Sequence, residues 1–431
     1  MEKFKLDFLK EDQRLFLERG YLDEGETPEQ RYLSIANAVK KFSLLNSKTE
    51  ESKKYVENID KRFLEYFSKG WVSLSTPVLK NFGKDTNLPI SCNFSVLDDS
   101  LDDIYKGLHE IGMLAKHGSG TAVNFSNIRP IGSGISSGGK SNSILDWVEL
   151  YADMMSKTAQ NSARRGFLTA YLSVDHPEIM SFLDIGTRNI PADKQRFFQT
   201  ITTAVTLPEG WRDDLTKNPK KREIFTKILN TRKEAGYPYI LDLGNANKFK
   251  PQVYKDKGMS LVTSNICIEC SEYADFEKTF ACCLSSVNLY WWDDFKDHPN
   301  FIFDMNLLLD AVIEEYTEKA RDINGLQKAV KFAKEHRSIG LGVTALSTYF
   351  QRKMIPFGSP LSAVLNRKIF KRLREESDRA SKWMAEHFGE PEMLKGYGYR
   401  NTTRLAQAPK KSTTFIDGGT HLALSEGIEP H

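Results

Sequence analysis

Residues 264–270 read Ser-Asn-Ile-Cys-Ile-Glu-Cys, and this stretch combines a thiol with an amide and a carboxyl group. Asn265 lies two positions before Cys267, and Glu269 lies two positions after it. Alternate side chains of an extended segment point to the same face, so this spacing predicts that the three groups converge on one small ligand. Such a combination is typical of a catalytic site and has no obvious structural use.

The other cysteines leave alternatives open for this stretch. Cys92 stands alone, whereas Cys267, Cys270, Cys282 and Cys283 lie close together in the sequence. A structural zinc site would need a second pair at suitable spacing, and two adjacent cysteines fit one tetrahedron poorly. A thioredoxin-like redox site is a second alternative, but its cysteine pair would have to open a helix in a small βαβ domain. Buried structural thiols are the remaining alternative, because burial is common for cysteine.

The composition is that of a folded, enzyme-sized chain. Of its 431 residues 40% are hydrophobic and 27% charged, which excludes a disordered polymer. This length allows two or three ordinary domains or one large core. With 60 basic and 57 acidic residues the net charge is +3, which argues against a chain that coats nucleic acid or an anionic membrane.

The sequence also indicates a compartment. It contains no run of 18 apolar residues, and its charged first segment does not resemble a signal peptide. Five cysteines are few and odd in number, which favours a reducing compartment over a disulfide scaffold. We therefore expect a cytoplasmic protein.

Hydrophobic periodicity divides the chain near residue 70. Residues 1–70 carry apolar side chains at helical spacing, and Thr27 followed by Pro28 is typical of a helix start. From Trp71 onward, short extended segments alternate with helical ones, which predicts an α/β fold. The predicted strands lie in 71–76, 121–125, 201–207 and 237–243, and the predicted helices include 144–164 and 305–321.

A glycine-rich stretch offers a second candidate site. Gly134, Gly139, Lys140 and Ser141 match the spacing of a P-loop, in which backbone amides curl around phosphates. The residues before it include Pro130, which disfavours the buried strand that feeds a P-loop. A nucleotide-contacting loop of another geometry and an ordinary surface loop are the alternatives.

Seven motifs in chain order resemble those of the large, catalytic subunit of ribonucleotide reductase. They are SLSTPVL (73–79), SCNFSVLDDSLDDI (91–104), GSGTAVNFSNIRPIGSGISSGG (118–139), SNICIE (264–269), ACCLSSVNL (281–289), HRSIGLGV (336–343), and APKKSTTF (408–415) with SEGIEP (425–430). The resemblance implies a ten-stranded α/β barrel around a finger loop, with a helical region at 1–70 and the barrel at 71–431.

The resemblance implies a thiyl-radical reaction that reduces ribonucleotides, most simply the diphosphates, to deoxyribonucleotides. Cys267 matches the cysteine whose radical abstracts the 3′ hydrogen of the ribose. Glu269 matches the group that takes the 3′-OH proton, and Asn265 matches the one that binds the ribose hydroxyls. Cys92 and Cys282 match the two redox thiols that deliver the reducing equivalents for loss of the 2′-OH and end as a disulfide. A thiol suits both hydrogen-atom transfer and reversible disulfide formation.

The resemblance also implies nucleotide contacts. The positions that match substrate contacts are Thr76, Ser91, Gly120, Pro409, Lys410, Lys411, Ser412, Thr413 and Thr414, of which the last six form a phosphate-binding loop with two additional cations. Asp99, Ser100, Leu101 and Arg129 match the specificity site, where a deoxynucleoside triphosphate or ATP effector binds at a dimer interface. Residues 132–139 and 187–196 match two effector loops. Ser136 replaces an arginine found in some relatives, which leaves effector choice open.

Two segments of the family pattern have no match. The regulatory ATP-cone is missing before residue 1, so we expect no activity control through it. The last barrel strands, a radical-carrying tyrosine pair and a mobile cysteine tail are missing after His431. We therefore expect an incomplete barrel, from a split gene or a truncated chain, which needs a complementary carboxyl-terminal fragment.

The resemblance sets the expected partners and leaves two rival functions. No cofactor or metal is expected on this chain, since the radical comes from a metal-containing small subunit or, alternatively, from adenosylcobalamin. Thioredoxin or glutaredoxin is the expected reductant, and a homodimer is expected. Neither a membrane nor a nucleic acid polymer is an expected partner. The rival functions are a P-loop NTPase and a non-catalytic nucleotide-binding remnant.

Overall fold

The structure, a computed structural model, describes residues 4–90, 92–158, 166–185, 187 and 201–418. The strands in these residues are β1 (Val72–Leu74), β2 (Cys92–Val96), β3 (Gly120–Asn124), β4 (Leu168–Ser173), β5 (Ile201–Leu207), β6 (Tyr239–Asp242), β7 (Phe280–Asn288) and β8 (Ile339–Thr344). The regular alternation of these strands with helices confirms the predicted α/β class.

The α-helices of the described residues complete the inventory. They are α1 (Glu11–Gly20), α2 (Pro28–Asn46), α3 (Glu50–Val56), α4 (Ile59–Ser68), α5 (Thr76–Asn81), α6 (Leu101–Lys116), α7 (Ile144–Thr158), α8 (Ile179–Phe182), α9 (Pro219–Ala235), α10 (Leu243–Phe249), α11 (Gln252–Asp256), α12 (Trp292–Phe295), α13 (Phe301–Ala320), α14 (Gln327–His336), α15 (Leu346–Arg352), α16 (Pro360–Phe388) and α17 (Lys411–Asp417). Short 3-10 helices cover Leu289–Trp291 and Glu392–Leu394. No helix in the described part of the chain is both long and apolar enough to span a membrane.

The described residues cluster into two units. Unit 1 draws on residues 1–90, 282–321 and 333–431, and unit 2 draws on residues 91–281 and 322–332. The predicted domain boundary at residue 70 stays a prediction.

The start of α2 shows how local sequence sets an element boundary. The Thr27 hydroxyl accepts a hydrogen bond from the Gln30 amide at 3.2 Å, and the Gln30 side chain accepts one from the Thr27 amide at 2.8 Å. Pro28 occupies the first helical position, where no amide donor is needed. This reciprocal capping box confirms the predicted helix start.

Unit 2 is built on a parallel sheet in the order β2-β3-β4-β5-β6. Cys92 pairs in register with Gly120, and Thr121 pairs with Leu168. Strands β2 and β3 are buried along their whole length, as expected for a parallel sheet covered by helices. The register therefore places the amino ends of β2, β3 and β4 side by side.

Helices α6 and α7 cover this sheet at close range. The Tyr151 hydroxyl on α7 donates to the carbonyl of Ile104 on α6 at 2.5 Å. A Cβ at Gly107 would lie 2.8 Å from that hydroxyl and 2.6 Å from Leu97 Cδ2, so only glycine permits the approach. Ile111 and Val148 belong to the same buried apolar cluster. The close packing of α6 and α7 therefore helps to hold the residues that follow β2 and β3.

Unit 1 is organised around helix α13, which is buried on nearly every side. It packs against α2, α16 and β8. Most of its residues are buried, which is typical of a helix at the centre of a domain. The strands of this unit are β1, antiparallel to β7, and β8, parallel to β7.

The segment before α17 runs beside β8. The amides of Ile339 and Leu341 donate to the carbonyls of Thr403 and Arg404 at 3.2 and 2.9 Å. The Gln407 side chain then substitutes for a strand backbone: its Oε1 accepts from the Val343 amide at 3.1 Å, and its Nε2 donates to the Val343 carbonyl at 2.9 Å. These bonds fix the chain that leads into residues 409–414.

Asp310 on α13 connects three segments of unit 1. Its carboxylate accepts hydrogen bonds from Arg337 at 2.9 and 3.0 Å, from Arg400 at 3.0 Å and from Asn401 at 3.2 Å. Burial raises the pKa of Asp310, but the two guanidinium groups outweigh it and lower the pKa to about 2. A buried, charged hydrogen-bond network of this kind is costly to break.

Replacing Asp310 with Asn should destabilise unit 1 by about 3–5 kcal/mol, because two arginines then lie buried without their carboxylate. Urea unfolding monitored by fluorescence measures the change. Asp102→Asn, which removes an exposed pair with Lys106, is the matched control and should leave the midpoint unchanged. Because the folded pKa lies below the ordinary value of 3.8, the contribution of Asp310 is retained above about pH 4 and lost as the pH falls towards 2.

Candidate active site

Residues 265–268 form a turn, which corrects the extended conformation expected from the sequence. The Ile268 amide donates to the Asn265 carbonyl at 3.3 Å, and Ile268 has a φ of 67°. A β-branched residue rarely adopts this left-handed conformation. Cys267 is consequently exposed at the tip of the turn, whereas Asn265 is completely buried. Asn265 and Cys267 thus differ sharply in exposure, which one extended face does not predict.

The Asn265 carboxamide links this turn to strand β2. Its Oδ1 accepts a hydrogen bond from the Cys270 amide at 3.0 Å, and its Nδ2 donates to Cys92 Sγ at 2.8 Å. The Ser264 hydroxyl donates to the Cys270 carbonyl at 2.7 Å. We call residues 263–270 the thiol loop. Two of the predicted catalytic residues, Asn265 and Cys92, are therefore in direct contact.

Strands β3 and β4 hold the thiol loop in place. The Tyr171 hydroxyl donates to the Asn265 carbonyl at 2.8 Å, and the Thr169 hydroxyl donates to the Ile266 carbonyl at 3.3 Å. A Cβ at Gly120 would lie 2.5 Å from Ile266 Cδ1, so glycine leaves the space that Ile266 fills. Gly120 therefore provides the space into which the loop packs; its role as a substrate contact stays a prediction.

The acidities of the groups around Cys92 follow from burial and charge. Burial raises the pKa of Cys92 well above its usual value, and the nearby Glu269 raises it further, while the hydrogen bond from Asn265 opposes both. Burial also raises the pKa of Tyr239, and the neighbouring Cys267 raises that pKa further. Cys92 is therefore a protonated thiol at neutral pH, and Glu269 and Cys267 both lie within electrostatic reach of it.

Cys282 and Cys283 lie on β7 in unit 1. Both are buried, and Cys282 Sγ donates to the Cys283 carbonyl at 3.6 Å. Burial raises the pKa of Cys283, and the charge of Lys410 opposes the effect. The described residues include all five cysteines, and none of the five is in a disulfide.

The predicted phosphate-binding residues divide into exposed and buried ones. Pro409, Lys411 and Ser412 are exposed, whereas Thr413 and Thr414 are buried. The predicted substrate contact Thr76 opens helix α5, with its hydroxyl 3.3 Å from that of Tyr21 in the same unit. Ser91 lies outside the described residues.

Lys410, predicted as a second phosphate-binding cation, points into the interior of unit 1. Its Nζ donates to the Ser73 carbonyl at 3.5 Å. Burial lowers the pKa of Lys410 to about 8 and raises the pKa of the nearby Asp417 to about 7. Lys411 rather than Lys410 is therefore the cation that this segment presents to solvent.

The four predicted effector residues line one cavity in unit 2. It has a volume of about 430 Å³ and lies beyond the carboxyl ends of β2 and β3. Its lining comprises Asp99, Ser100, Leu101, Ile104, Ile128, Arg129, Ile135, Ser136, Ser137, Lys140, Ser141, Asn142 and Trp147. The carboxyl ends of parallel strands are the usual place for a ligand in α/β proteins.

Arg129 organises this cavity. Its Nε donates to the Asp99 carboxylate at 2.7 Å, and its Nη1 donates to the Gly134 carbonyl at 2.7 Å. Ser100 caps helix α6 by accepting from the Asp103 amide at 3.2 Å. The arginine thus joins the two segments that the sequence analysis assigned to an effector.

The glycine-rich stretch folds as a small hairpin rather than a P-loop. The Ile135 amide donates to the Gly139 carbonyl at 3.1 Å, and the Ser141 amide donates to the Ser133 carbonyl at 2.8 Å. Because these amides are already paired within the loop, they do not form the phosphate cradle of an NTPase. Most of the second effector loop, residues 188–196, lies outside the described residues.

Sequence reasoning missed three contributors to these sites. Cys270 was not among the predicted site residues, yet its backbone amide closes the thiol loop. Tyr171 and Trp147 were not singled out, although Trp147 lies in the predicted helix 144–164. No group of His, Cys, Asp or Glu side chains among the described residues is arranged to hold a metal ion.

Comparison with known proteins identifies the class of protein to which this fold and this loop belong. Residues 90–220 and 211–393 match the family described as ribonucleotide reductase, barrel domain. The match covers more than half of the chain, so the chain belongs to this family. The predicted family and the predicted barrel class are confirmed.

Individual relatives agree with this assignment. The class Id ribonucleotide reductase alpha subunit of Actinobacillus ureae has 36% sequence identity and a TM-score of 0.89, over 99% of this chain and 76% of that chain. The putative ribonucleoside-diphosphate reductase large subunit of Frog virus 3 is 29% identical over 85% of this chain and 65% of its own length. The ribonucleoside-diphosphate reductase large subunit of Invertebrate iridescent virus 3 is 26% identical over 94% of this chain and 72% of its own length. The chain therefore spans roughly two thirds of these two viral relatives.

Gly120→Ala should destabilise the chain by about 1–3 kcal/mol, because the new methyl group overlaps with Ile266. Adding Ile266→Val removes the overlapping Cδ1 and should restore most of the loss, although Ile266→Val alone costs about 0.5–1.5 kcal/mol. A double-mutant cycle from urea unfolding measures the coupling. Simple additivity of the two changes would contradict the contact.

Proposed function

We propose that this chain is the catalytic barrel of a ribonucleotide reductase that converts ribonucleoside diphosphates to 2′-deoxyribonucleoside diphosphates for DNA synthesis. The observation that carries the proposal is the hydrogen bond from Asn265 to Cys92, which joins a buried thiol to the loop that bears Cys267 and Glu269. Membership of the reductase barrel family supports it. The NTPase alternative is disfavoured, because the amides of the glycine-rich hairpin are already hydrogen-bonded within the hairpin.

In the proposed reaction Cys267, as a thiyl radical, takes the 3′ hydrogen atom of the ribose and returns a hydrogen atom at the end. Glu269 accepts the 3′-OH proton while Asn265 binds the ribose hydroxyls. The 2′-OH leaves as water after it receives a proton. Cys92 and Cys282 together give two electrons and two protons and become a disulfide, so one dithiol is consumed for each deoxyribonucleotide and water formed.

The buried state of Cys92 suits this proposed role. A raised pKa keeps its proton in place until the 2′-OH needs one. The exposed position of Cys267 suits a residue that must meet the substrate. Thr76, Ser91, Gly120 and the segment 409–414 are the proposed substrate contacts, with Lys411 and Ser412 presented to the phosphates.

The cavity around Arg129 is the proposed effector site. It offers a guanidinium, the Lys140 ammonium and several hydroxyl groups for phosphates, and Trp147 for a base. A deoxynucleoside triphosphate or ATP has the charge and the planar ring that this lining fits. Asp99, Ser100 and Leu101 complete the proposed contacts.

The proposed partners follow from the names of the relatives. "Ribonucleoside-diphosphate reductase large subunit" and "alpha subunit" imply a separate radical-generating subunit, which we propose contains a metal centre; adenosylcobalamin is the alternative. We further propose thioredoxin or glutaredoxin as reductant and a homodimer as the assembly. We also propose a cytoplasmic location, which the small and odd number of cysteines supports. A complementary carboxyl-terminal fragment is a further proposed partner.

Cys267→Ser should abolish turnover of a ribonucleoside diphosphate by the complete reductase, because a serine hydroxyl does not form the radical. Nucleotide binding should remain within about twofold of the parent. Cys283→Ser, on the same chain but outside the proposed chemistry, is the control. Product formation measured by chromatography decides the question, and unchanged turnover in Cys267→Ser would remove this residue from the mechanism.

Arg129→Ala should weaken binding of deoxynucleoside triphosphates to the chain by about 10- to 100-fold, the usual loss for a charged hydrogen bond. Equilibrium dialysis with a radiolabelled nucleotide measures this. Lys157→Ala, which removes a cation from an exposed pair on α7, is the control for net charge. Equal affinities for the Arg129 and Lys157 variants would place the effector elsewhere.

A further inference from the structure

The orientation of the Asn265 carboxamide is determined by its surroundings. The Cys270 amide lies 3.0 Å from one end of the group, and a backbone N–H can only donate, so that end is the acceptor Oδ1. The other end is therefore Nδ2, which faces Cys92 Sγ at 2.8 Å. Asn265 thus offers a hydrogen-bond donor, and not an acceptor, to the thiol.

The donor is also held rigidly. The Asn265 carbonyl is bound by the Tyr171 hydroxyl at 2.8 Å, and the next residue, Ile266, fills the space beside Gly120. Asn265 has no solvent exposure. A side chain whose rotamer is fixed by packing and by hydrogen bonds on both sides is preorganised for the atom it contacts.

The surroundings of Cys92 otherwise oppose its ionisation. Burial, the carboxylate of Glu269 and the thiols of Cys267 and Cys270 all raise the pKa of Cys92. Glu269, Cys267 and Cys270 are the titratable groups with the largest effects on Cys92. The Asn265 donor acts in the opposite direction, since a hydrogen bond to sulfur favours the thiolate.

We propose that Asn265 is a positioning residue for Cys92, which fixes the direction of the reduced sulfur and stabilises its thiolate through the Nδ2 donor. This role is additional to the proposed contact of Asn265 with the ribose. The proposal depends on the proposed function in one respect only, namely that Cys92 is a redox thiol. Because the donor favours the reduced sulfur over the disulfide, it also favours return of the site to its dithiol state.

Asn265→Asp removes the Nδ2 donor to Cys92 and keeps the acceptor that holds the thiol loop. The aspartate keeps an oxygen for the Cys270 amide but turns an acceptor towards Cys92. Ionisation of Cys92 becomes harder, so its alkylation by iodoacetamide at pH 8 should slow by about tenfold or more, equivalent to one pKa unit. Peptide mass spectrometry reports the rate for each cysteine, and no turnover is required. A failure of this test is thereby distinct from a failure of the proposed reaction.

Asn124→Asp is the matched control. Asn124 Nδ2 donates to the Val262 carbonyl at 2.9 Å and its Oδ1 accepts from the Ser126 amide at 3.0 Å, so it is a structural amide of the same unit. Its substitution introduces the same charge without touching Cys92 and should leave the labelling rate unchanged. Equal labelling of Cys92 in the parent and in Asn265→Asp, with Cys283 still protected, would contradict the proposal.

A measurement on the unsubstituted chain covers the case in which Asn265→Asp does not fold. With ¹⁵N-labelled asparagine, the side-chain amide resonances of Asn265 should shift with pH along the same titration curve as the labelling of Cys92. Cys92→Ser should remove that titration. Resonances that do not move as Cys92 ionises would overturn the proposal.

Discussion

The carboxamide of Asn265 is the contact on which the candidate active site depends. One end binds the backbone of the thiol loop, and the other end binds the first residue of β2. The loop has few regular hydrogen bonds of its own, so this side chain takes the place of secondary structure. Because it is fully buried, an unpaired amide there would carry a desolvation cost of about 1–3 kcal/mol. The geometry of the loop and that of Cys92 are therefore coupled.

The parallel sheet of unit 2 gives the two candidate sites a common base. The thiol loop contacts β2, β3 and β4 at their amino ends, whereas the Arg129 cavity lies beyond the carboxyl ends of β2 and β3. Strands of five residues span about 16 Å, so the two sites lie at opposite ends of one short, fully buried element. A close-packed strand does not bend independently of its neighbours, which gives any coupling between the sites a direct physical path.

The sequence predicts the elements of this protein better than the shape of its site. Local patterns predict the β5 segment and the start of α2. The matched motifs predict that Asp99 and Arg129 belong to one site. The turn at Ile268 does not, because nothing in a Cys-Ile-Glu sequence signals a left-handed β-branched residue. The inward direction of Lys410 is equally hidden, since a lysine in a polar segment is normally exposed and only the packing of unit 1 buries it.

The conformation of Ile268 explains how neighbouring residues acquire opposite environments. A left-handed β-branched residue carries strain of about 1–3 kcal/mol, which persists only where the surrounding structure determines it. Here the Asn265 bridge fixes the loop on one side and the Gly120 contact fixes it on the other. The reversed turn then exposes Cys267 while Cys270 stays buried. In an extended segment, successive side chains would point to opposite faces. The strained turn at Ile268 instead exposes the Cys267 thiol and leaves the residues that support it buried.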